Sequence, residues 1–381
     1  MDTNQTQFDR AQMSQTEIAE QRVLNFSAGP AVLPETVLRQ IAEEMIALPD
    51  VGSSILEVSH RGKAFTKYIN AARDGLRELL SIPDEYEIMF LQGGSRLQFA
   101  MIPMNFMHEE KCAAYAVTGS WGKQAFQEAA KQGNAKTIWD GSEDHFTKTP
   151  NESFQLTAEN YSYFYYVSNE TIQGVQFSSE PDCGDVPMIC DASSDFLHKP
   201  LAIEKYDLIY ACAQKNAGPA GLTMVIAKRS LLQSGKSNLP GYLDYRSHAD
   251  NESLFNTPPT FAIYVLSLIV DWLKNEIGGL EKMHLQNQKK AKMLYDVIDK
   301  YRSVYIGHAD PDCRSLMNIV FKFPSVELQS RFLSDAEAAG FHGLAGHRSV
   351  GGIRASIYNA MPVKGVEALA EYMTDFAAEN G

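Results

Sequence analysis

The chain has 381 residues, 44% of them hydrophobic, which is enough for one large domain with a smaller one attached. A formal net charge of −13 argues against nucleic acid as a main partner, and the longest apolar stretch, residues 261–273, is too short to cross a bilayer and contains Asp271. Five scattered cysteines (Cys112, Cys183, Cys190, Cys212, Cys313) with no C-x-x-C pair argue against a metal site and for reduced thiols in a cytoplasmic setting.

Residues 1–22 are polar and carry Asp2, Asp9, Glu17 and Glu20. Lacking an apolar h-region, and with acids that disfavour a transit peptide, they read as a flexible tail. Pro34 opens a helix in which Val37, Leu38, Ile41, Met45 and Ile46 repeat at helical spacing. Strands and helices then alternate. A strand over 87–91 is broken by Gly93-Gly94, a helix spans 96–105, a strand 111–117 and a helix 121–131. The aromatic run 161–167 is a strong strand. Further strands end at Asp191 and near Ala211, and another covers 223–227. This order predicts an α/β domain on a mostly parallel mixed sheet.

After Pro258-Pro259 a helix runs to about residue 275 and stops at Gly278-Gly279. A second helix over 281–301 leads to a smaller α+β domain with a strand at 317–323, a helix at 326–339 and a strand at 352–358. The expected division is a large domain over 35–280 and a small one built from 23–34 and 281–381.

In open α/β sheets, ligands bind beyond the carboxyl ends of the strands. Four polar loops fall there: Gly93-Gly94-Ser95-Arg96, Asn169-Glu170-Thr171, Asp191, and Lys215 within Ala213-Gln214-Lys215-Asn216-Ala217-Gly218. An aspartate and a lysine at successive strand ends suit a pyridoxal-phosphate enzyme. The lysine forms the Schiff base and the aspartate keeps the pyridine nitrogen protonated. A turn lysine and a capping aspartate are the plain alternatives, and each wins if the residue is taken alone. Gly93-Gly94 before a helix can cradle a phosphate, although such a pair is more often a simple turn. Asn256-Thr257, fixed by Pro258-Pro259, can add two donors, or merely cap the helix. Trp121 can stack on a pyridine ring or serve as core. His60-Arg61, His347-Arg348 and Arg354 suit a substrate with two anionic ends, where the plain alternative is surface ion pairing.

Seven segments resemble the phosphoserine aminotransferase family of fold-type-I pyridoxal-phosphate enzymes. They are N-F-S-A-G-P at 25–30, E-V-S-H-R-G-K at 57–63, Q-G-G-S-R-L-Q-F at 92–99, S-N-E-T-I-Q-G at 168–174, A-Q-K-N-A-G-P-A-G at 213–221, F-N-T-P-P-T-F at 255–261 and G-H-R-S-V-G-G-I-R-A-S-I-Y-N-A-M at 346–361. The resemblance covers about residues 25–381. It implies amino transfer between glutamate and 3-phosphohydroxypyruvate in serine biosynthesis, with a related 4-phosphohydroxythreonine step serving pyridoxine synthesis in many bacteria.

Carried onto this chain, the resemblance implies Lys215 as anchor, Asp191 as pyridinium partner, Trp121 as ring cover and Thr171 on the ring hydroxyl. Ser95, Arg96 and Gln214 would hold the cofactor phosphate, with Asn256 and Thr257 of a homodimer partner. Arg354 would take the α-carboxylate, and His60, Arg61, His347 and Arg348 the distal phosphate or γ-carboxylate. Ala28 departs from relatives with serine there, and the tail is longer than many need.

The alternatives are a serine–pyruvate or alanine–glyoxylate type aminotransferase, which needs no pair of His-Arg grips, and a cysteine desulfurase using Cys313. An inactive binding protein on the same fold is a third, disfavoured by the intact Lys215, Asp191 and Arg354.

Overall fold

The computed structural model describes residues 22–348 and 350–381, so the expected tail over residues 1–22 lies outside the described residues except for Arg22. The chain begins with β1 (Leu24–Asn25), α1 (Glu35–Glu44) and α2 (Lys63–Leu79). Next come β2 (Tyr86–Gln92), α3 (Ser95–Phe106), β3 (Cys112–Val117), α4 (Ser120–Ala130), β4 (Ala135–Asp140) and β5 (Tyr161–Val167). A short hairpin of β6 (Asn169–Glu170) and β7 (Val175–Gln176) precedes β8 (Met188–Asp191), β9 (Leu208–Cys212) and β10 (Leu222–Lys228). Four helices follow: α5 (Arg229–Ser234), α6 (Tyr245–Asp250), α7 (Thr260–Asp271) and α8 (Leu280–Lys300). The C-terminal part holds β11 (Ile306–Gly307), β12 (Asn318–Lys322), α9 (Val326–Ala338), β13 (Phe341–His342), β14 (Ile353–Ser356) and α10 (Val363–Asn380).

The large sheet has seven strands in the order β2-β10-β9-β8-β5-β3-β4. All run parallel except β10, which is antiparallel to both β2 and β9. The carboxyl ends of β2, β5, β8 and β9 therefore share one edge, as the expected α/β fold requires. Alternation along β5 shows why these residues make a central strand. Tyr163, Tyr165 and Val167 pack into the core on one face, while Phe164 and Tyr166 pack into the core on the other. Burying each such ring contributes roughly 1.5–3 kcal/mol. The phenol oxygens stay satisfied in pairs: Tyr115 with Tyr163 at 2.7 Å and Tyr165 with Tyr210 at 2.8 Å. A separate core gathers Phe26 with side chains of α8, β12, α9, β14 and α10.

Helices α2 and α7 pack side by side and point the same way. Tyr68 meets Tyr264 with ring centroids 5.0 Å apart, Gly75 makes room for Val270, and Lys274 bonds Glu78. The segments preceding both helices therefore lie at the same end of the pair.

Several boundaries differ from the sequence expectation. Helix α1 stops at Glu44, and Ile46, expected on its apolar face, is 84% exposed. Helix α7 widens into a π-helix over Trp272–Ile277 before Gly278, with φ 83°, ends it. Helices α2 and α10 and strand β4 were not anticipated.

Candidate active site

The strand ends position the site. Lys215 lies in a turn after β9, closed by the amides of Ala217 and Gly218 donating to the Ala213 carbonyl at 3.0 and 2.8 Å. The neighbouring Asn216 is buried and pins that turn. It donates to the Phe196 carbonyl at 2.6 Å and accepts from the Asn359 amide at 2.9 Å. Lys215 Nζ then projects to Thr171, donating to its Oγ1 at 2.6 Å, and stands 5.4 Å from the centre of the Trp121 ring. Arg96 approaches the same ring at 5.9 Å.

Around these groups opens a cavity of about 550 Å³. Among the residues expected from sequence, its wall includes Ser95, Arg96, Trp121, Thr171, Gln214, Lys215, His347 and Arg354, and Ala28 lies there too. Among the described residues, no aspartate or glutamate lines it. Among the described residues, neither Arg96 nor Arg354 has a carboxylate ion-pair partner. Burial holds the Arg354 guanidinium below its usual range. It also lowers the His347 imidazole, with Arg354 and Arg348 adding to the effect. Such a wall awaits an anion.

Asp191 is 3% exposed and is not on the cavity wall itself. Its Oδ1 accepts from the Ser193 amide at 2.9 Å and its Oδ2 from the Tyr210 hydroxyl at 2.8 Å. Two strong donors offset the cost of burying the carboxylate. Ser193 Oγ in turn meets Ser95 Oγ at 2.9 Å, so the turn after β8 touches the start of α3. That start carries no side-chain cap and no acid in its first turn. Gly93 is at φ 101°, and a side chain on Gly94 would meet nothing within 4 Å. Backbone N–H groups at this helix end are thus open to a phosphate.

Pyridoxal phosphate fits this donor set. The uncapped start of α3 with Arg96 suits its phosphate, and Lys215 beside Thr171 suits its aldehyde and ring hydroxyl.

Four expected site residues do not reach the cavity within one chain: His60, Arg61, Asn256 and Thr257. Arg348 is exposed and also absent from its wall. Cys313 does not suit desulfurase chemistry: it is 4% exposed, bonds the Thr147 carbonyl at 3.1 Å, and burial pushes its thiol up to about 11. Sequence reasoning assigned no role to Tyr210, Ser193, Asn216 or Glu170. The hint for Glu170 was an acid at a strand end beside Thr171; the others become visible only through register and packing.

Known proteins match this architecture. The class-V aminotransferase family matches residues 23–369. A phosphoserine aminotransferase of Rhodopirellula baltica is 53% identical over 362 residues, covering 94% of this chain and 96% of that protein. That of Halalkalibacterium halodurans is 46% identical over 355 residues, covering 93% and 98%. The phosphoserine aminotransferase structure from Bacillus circulans subsp. alkalophilus superposes with a TM-score of 0.92 at 44% identity, covering 94% and 99%. A pyridoxal-phosphate-bound one from Trichomonas vaginalis gives 0.84 at 39%, covering 92% and 99%. An alanine–glyoxylate aminotransferase from Nostoc, at 17% identity and a TM-score of 0.73, shares the fold alone. The chain belongs to the phosphoserine aminotransferases of the class-V aminotransferase family.

Proposed function

We propose that this chain moves an amino group between glutamate and 3-phosphohydroxypyruvate, giving O-phosphoserine and 2-oxoglutarate, with Lys215 as covalent anchor and proton carrier. Bound there, pyridoxal phosphate supplies an electron sink for the substrate's α-carbon. Asp191, fixed by Tyr210 and Ser193, holds a proton on the pyridine nitrogen. Trp121 covers one ring face, and Thr171, already within 2.6 Å of Lys215 Nζ, orients the ring hydroxyl. Ser95, Arg96 and Gln214 bind the cofactor phosphate at the start of α3. Lys215 Nζ carries a proton to and from the substrate α-carbon. Arg354 clamps the α-carboxylate, and His347 with Arg348 grips the distal phosphate or γ-carboxylate.

A homodimer completes the site in this proposal. His60-Arg61 and Asn256-Thr257 precede the parallel helices α2 and α7, so they sit together at one end of that pair. Large apolar side chains are exposed in the same two segments, Leu56 at 63% and Phe255 at 44%. A two-fold partner would cover them and carry all four polar residues to the neighbouring cavity. Among the described residues no helix is long and apolar enough to cross a membrane, and five cysteines are unbridged. Both facts are compatible with the cytoplasmic placement proposed here.

The observation that carries the proposal is the acid-free cavity where Lys215, Trp121, Arg96 and Arg354 converge. Glutamate-dependent amination of 3-phosphohydroxypyruvate, compared with unphosphorylated hydroxypyruvate, tests it. A clear preference for the phosphorylated acid supports it, and equal rates would move the chain toward the serine–pyruvate type.

A further inference from the structure

Glu170 is fully buried at the end of β6, next to Thr171. Both its carboxylate oxygens are occupied by one helix. Oε2 accepts from the Trp121 amide at 3.0 Å and Oε1 from the Gly122 amide at 2.8 Å. These amides belong to the first turn of α4, and Gly119, the residue just before it, provides no side-chain cap. A side chain at Gly119 would lie 2.5 Å from the Glu170 Cγ and Cδ, so the glycine leaves room for the carboxylate. Gln173 adds a second brace: its amide donates to Ser120 Oγ at 2.7 Å and accepts from the Ser120 amide at 3.2 Å. Residues 170 and 173 together hold three successive amides of α4.

This is a costly way to start a helix. A serine, threonine or aspartate at position 119 would cap α4 locally with little burial. Instead a carboxylate 49 residues away is buried for the purpose. Burial lifts its carboxyl to about 7 even against the pull of the two amides, with Asp191 pushing the same way and Lys215 opposing. What the arrangement gains is a fixed relation between two cavity residues. On one side of the contact is the Trp121 indole, 5.4 Å from Lys215 Nζ; on the other is Thr171, bonded to the same Nζ at 2.6 Å.

We infer that Glu170 is a positioning residue for the cofactor, setting the Trp121 indole at a fixed height and tilt relative to Thr171 and Lys215. The inference rests on the proposal that Trp121 covers the pyridine ring. A capping role alone would govern only the stability of α4. A positioning role governs how tightly and in what geometry the ring is held.

Glu170→Gln tests this with little change in shape. The amide keeps one acceptor oxygen and turns an NH2 group toward the other backbone donor, which breaks one of the two bonds. The expected result is a pyridoxal-phosphate dissociation constant raised about tenfold or more, read by titrating the apo-protein. The visible band of the lysine-bound cofactor should shift, and kcat should fall while the KM for glutamate changes less than about twofold. Gly119→Ala, which displaces the carboxylate without removing it, should give the same pattern, and the double variant should lose less than the product of the two single losses. Should Glu170→Gln fail to fold, Gly119→Ala decides on the same readouts. A Glu170→Gln protein that melts at lower temperature yet keeps the wild-type cofactor affinity and spectrum would overturn the inference, leaving a helix cap. The underlying site reading fails separately, if Lys215→Ala retains the visible band.

Discussion

Tyr210 donates its hydroxyl hydrogen to Asp191 Oδ2 at 2.8 Å, across the pairing of β8 with β9 that sets these two residues side by side. Burial keeps the Tyr210 phenol far above its ordinary titration range, so it remains a donor at every working pH. The Tyr165 hydroxyl supports it from behind at 2.8 Å. Tyr210→Phe removes one of the two donors that hold Asp191 in place. A hydrogen bond to a charged group is worth about 1.5–3 kcal/mol, so kcat should drop roughly tenfold to a hundredfold. The KM for glutamate should hardly change, which steady-state kinetics will check; an unchanged kcat would show that Asp191 does not need this bond.

Lys215→Ala should abolish turnover and leave the fold intact, because the side chain enters the cavity and its turn is held by Asn216 rather than by the lysine. The purified variant should lack the visible cofactor band yet keep the far-ultraviolet circular dichroism of the parent.

The anion grips should separate by substrate. Arg354→Ala should weaken every amino acid and keto acid, since all carry an α-carboxylate, by on the order of 2–4 kcal/mol in kcat/KM. His347→Ala and Arg348→Ala should harm phosphorylated substrates more than unphosphorylated ones. Equal losses on 3-phosphohydroxypyruvate and hydroxypyruvate for all three variants would undo this division.

Glu170 gives a pH signature in the apo-protein. Its folded value of about 7 lies above the ordinary 4.5, so the folded chain binds the extra proton between those limits. Its contribution is therefore fully present below about pH 4.5 and is lost as pH rises through about 7. Glu170→Gln does not titrate. The unfolding free energy of the variant minus that of the parent should become more positive from pH 5 to pH 7.5, by on the order of 2 kcal/mol. A flat difference would mean that the carboxyl is ionised throughout.

The shared site can be tested by complementation. Lys215→Ala and Asn256→Ala/Thr257→Ala are each expected to be inactive. If the loop acts on the neighbour, each mixed dimer has one intact site, and random pairing restores roughly a quarter of wild-type activity. No recovery, with mixed dimers confirmed, would place the loop's function within its own subunit.

Much of this was legible in the sequence for a physical reason. Aromatic and apolar runs such as 161–167 are buried on both faces, and the polar residues that interrupt them fall at strand ends where ligands bind. The direction of β10 was not legible, because side-chain alternation carries no information about which way a strand runs. Strand β4 lies at the sheet edge with mostly half-exposed residues, so its apolar signal is weak. Helix α2 does carry a signal, with Phe65, Ile69, Ala72 and Leu76 buried at helical spacing directly after the His60-Arg61 motif. Tyr210 and Glu170 owe their roles to register and to a contact spanning 49 residues, which no local pattern reveals.

The most direct test of the central claim is to find where the cofactor is attached. Borohydride reduction of the pyridoxal-phosphate-loaded protein fixes the cofactor on its lysine, and peptide mass spectrometry then identifies the residue. The expected result is a single modified peptide with the added mass on Lys215. Label on another lysine, such as the fully buried Lys290, or no label on a protein that still transfers amino groups, would contradict the account.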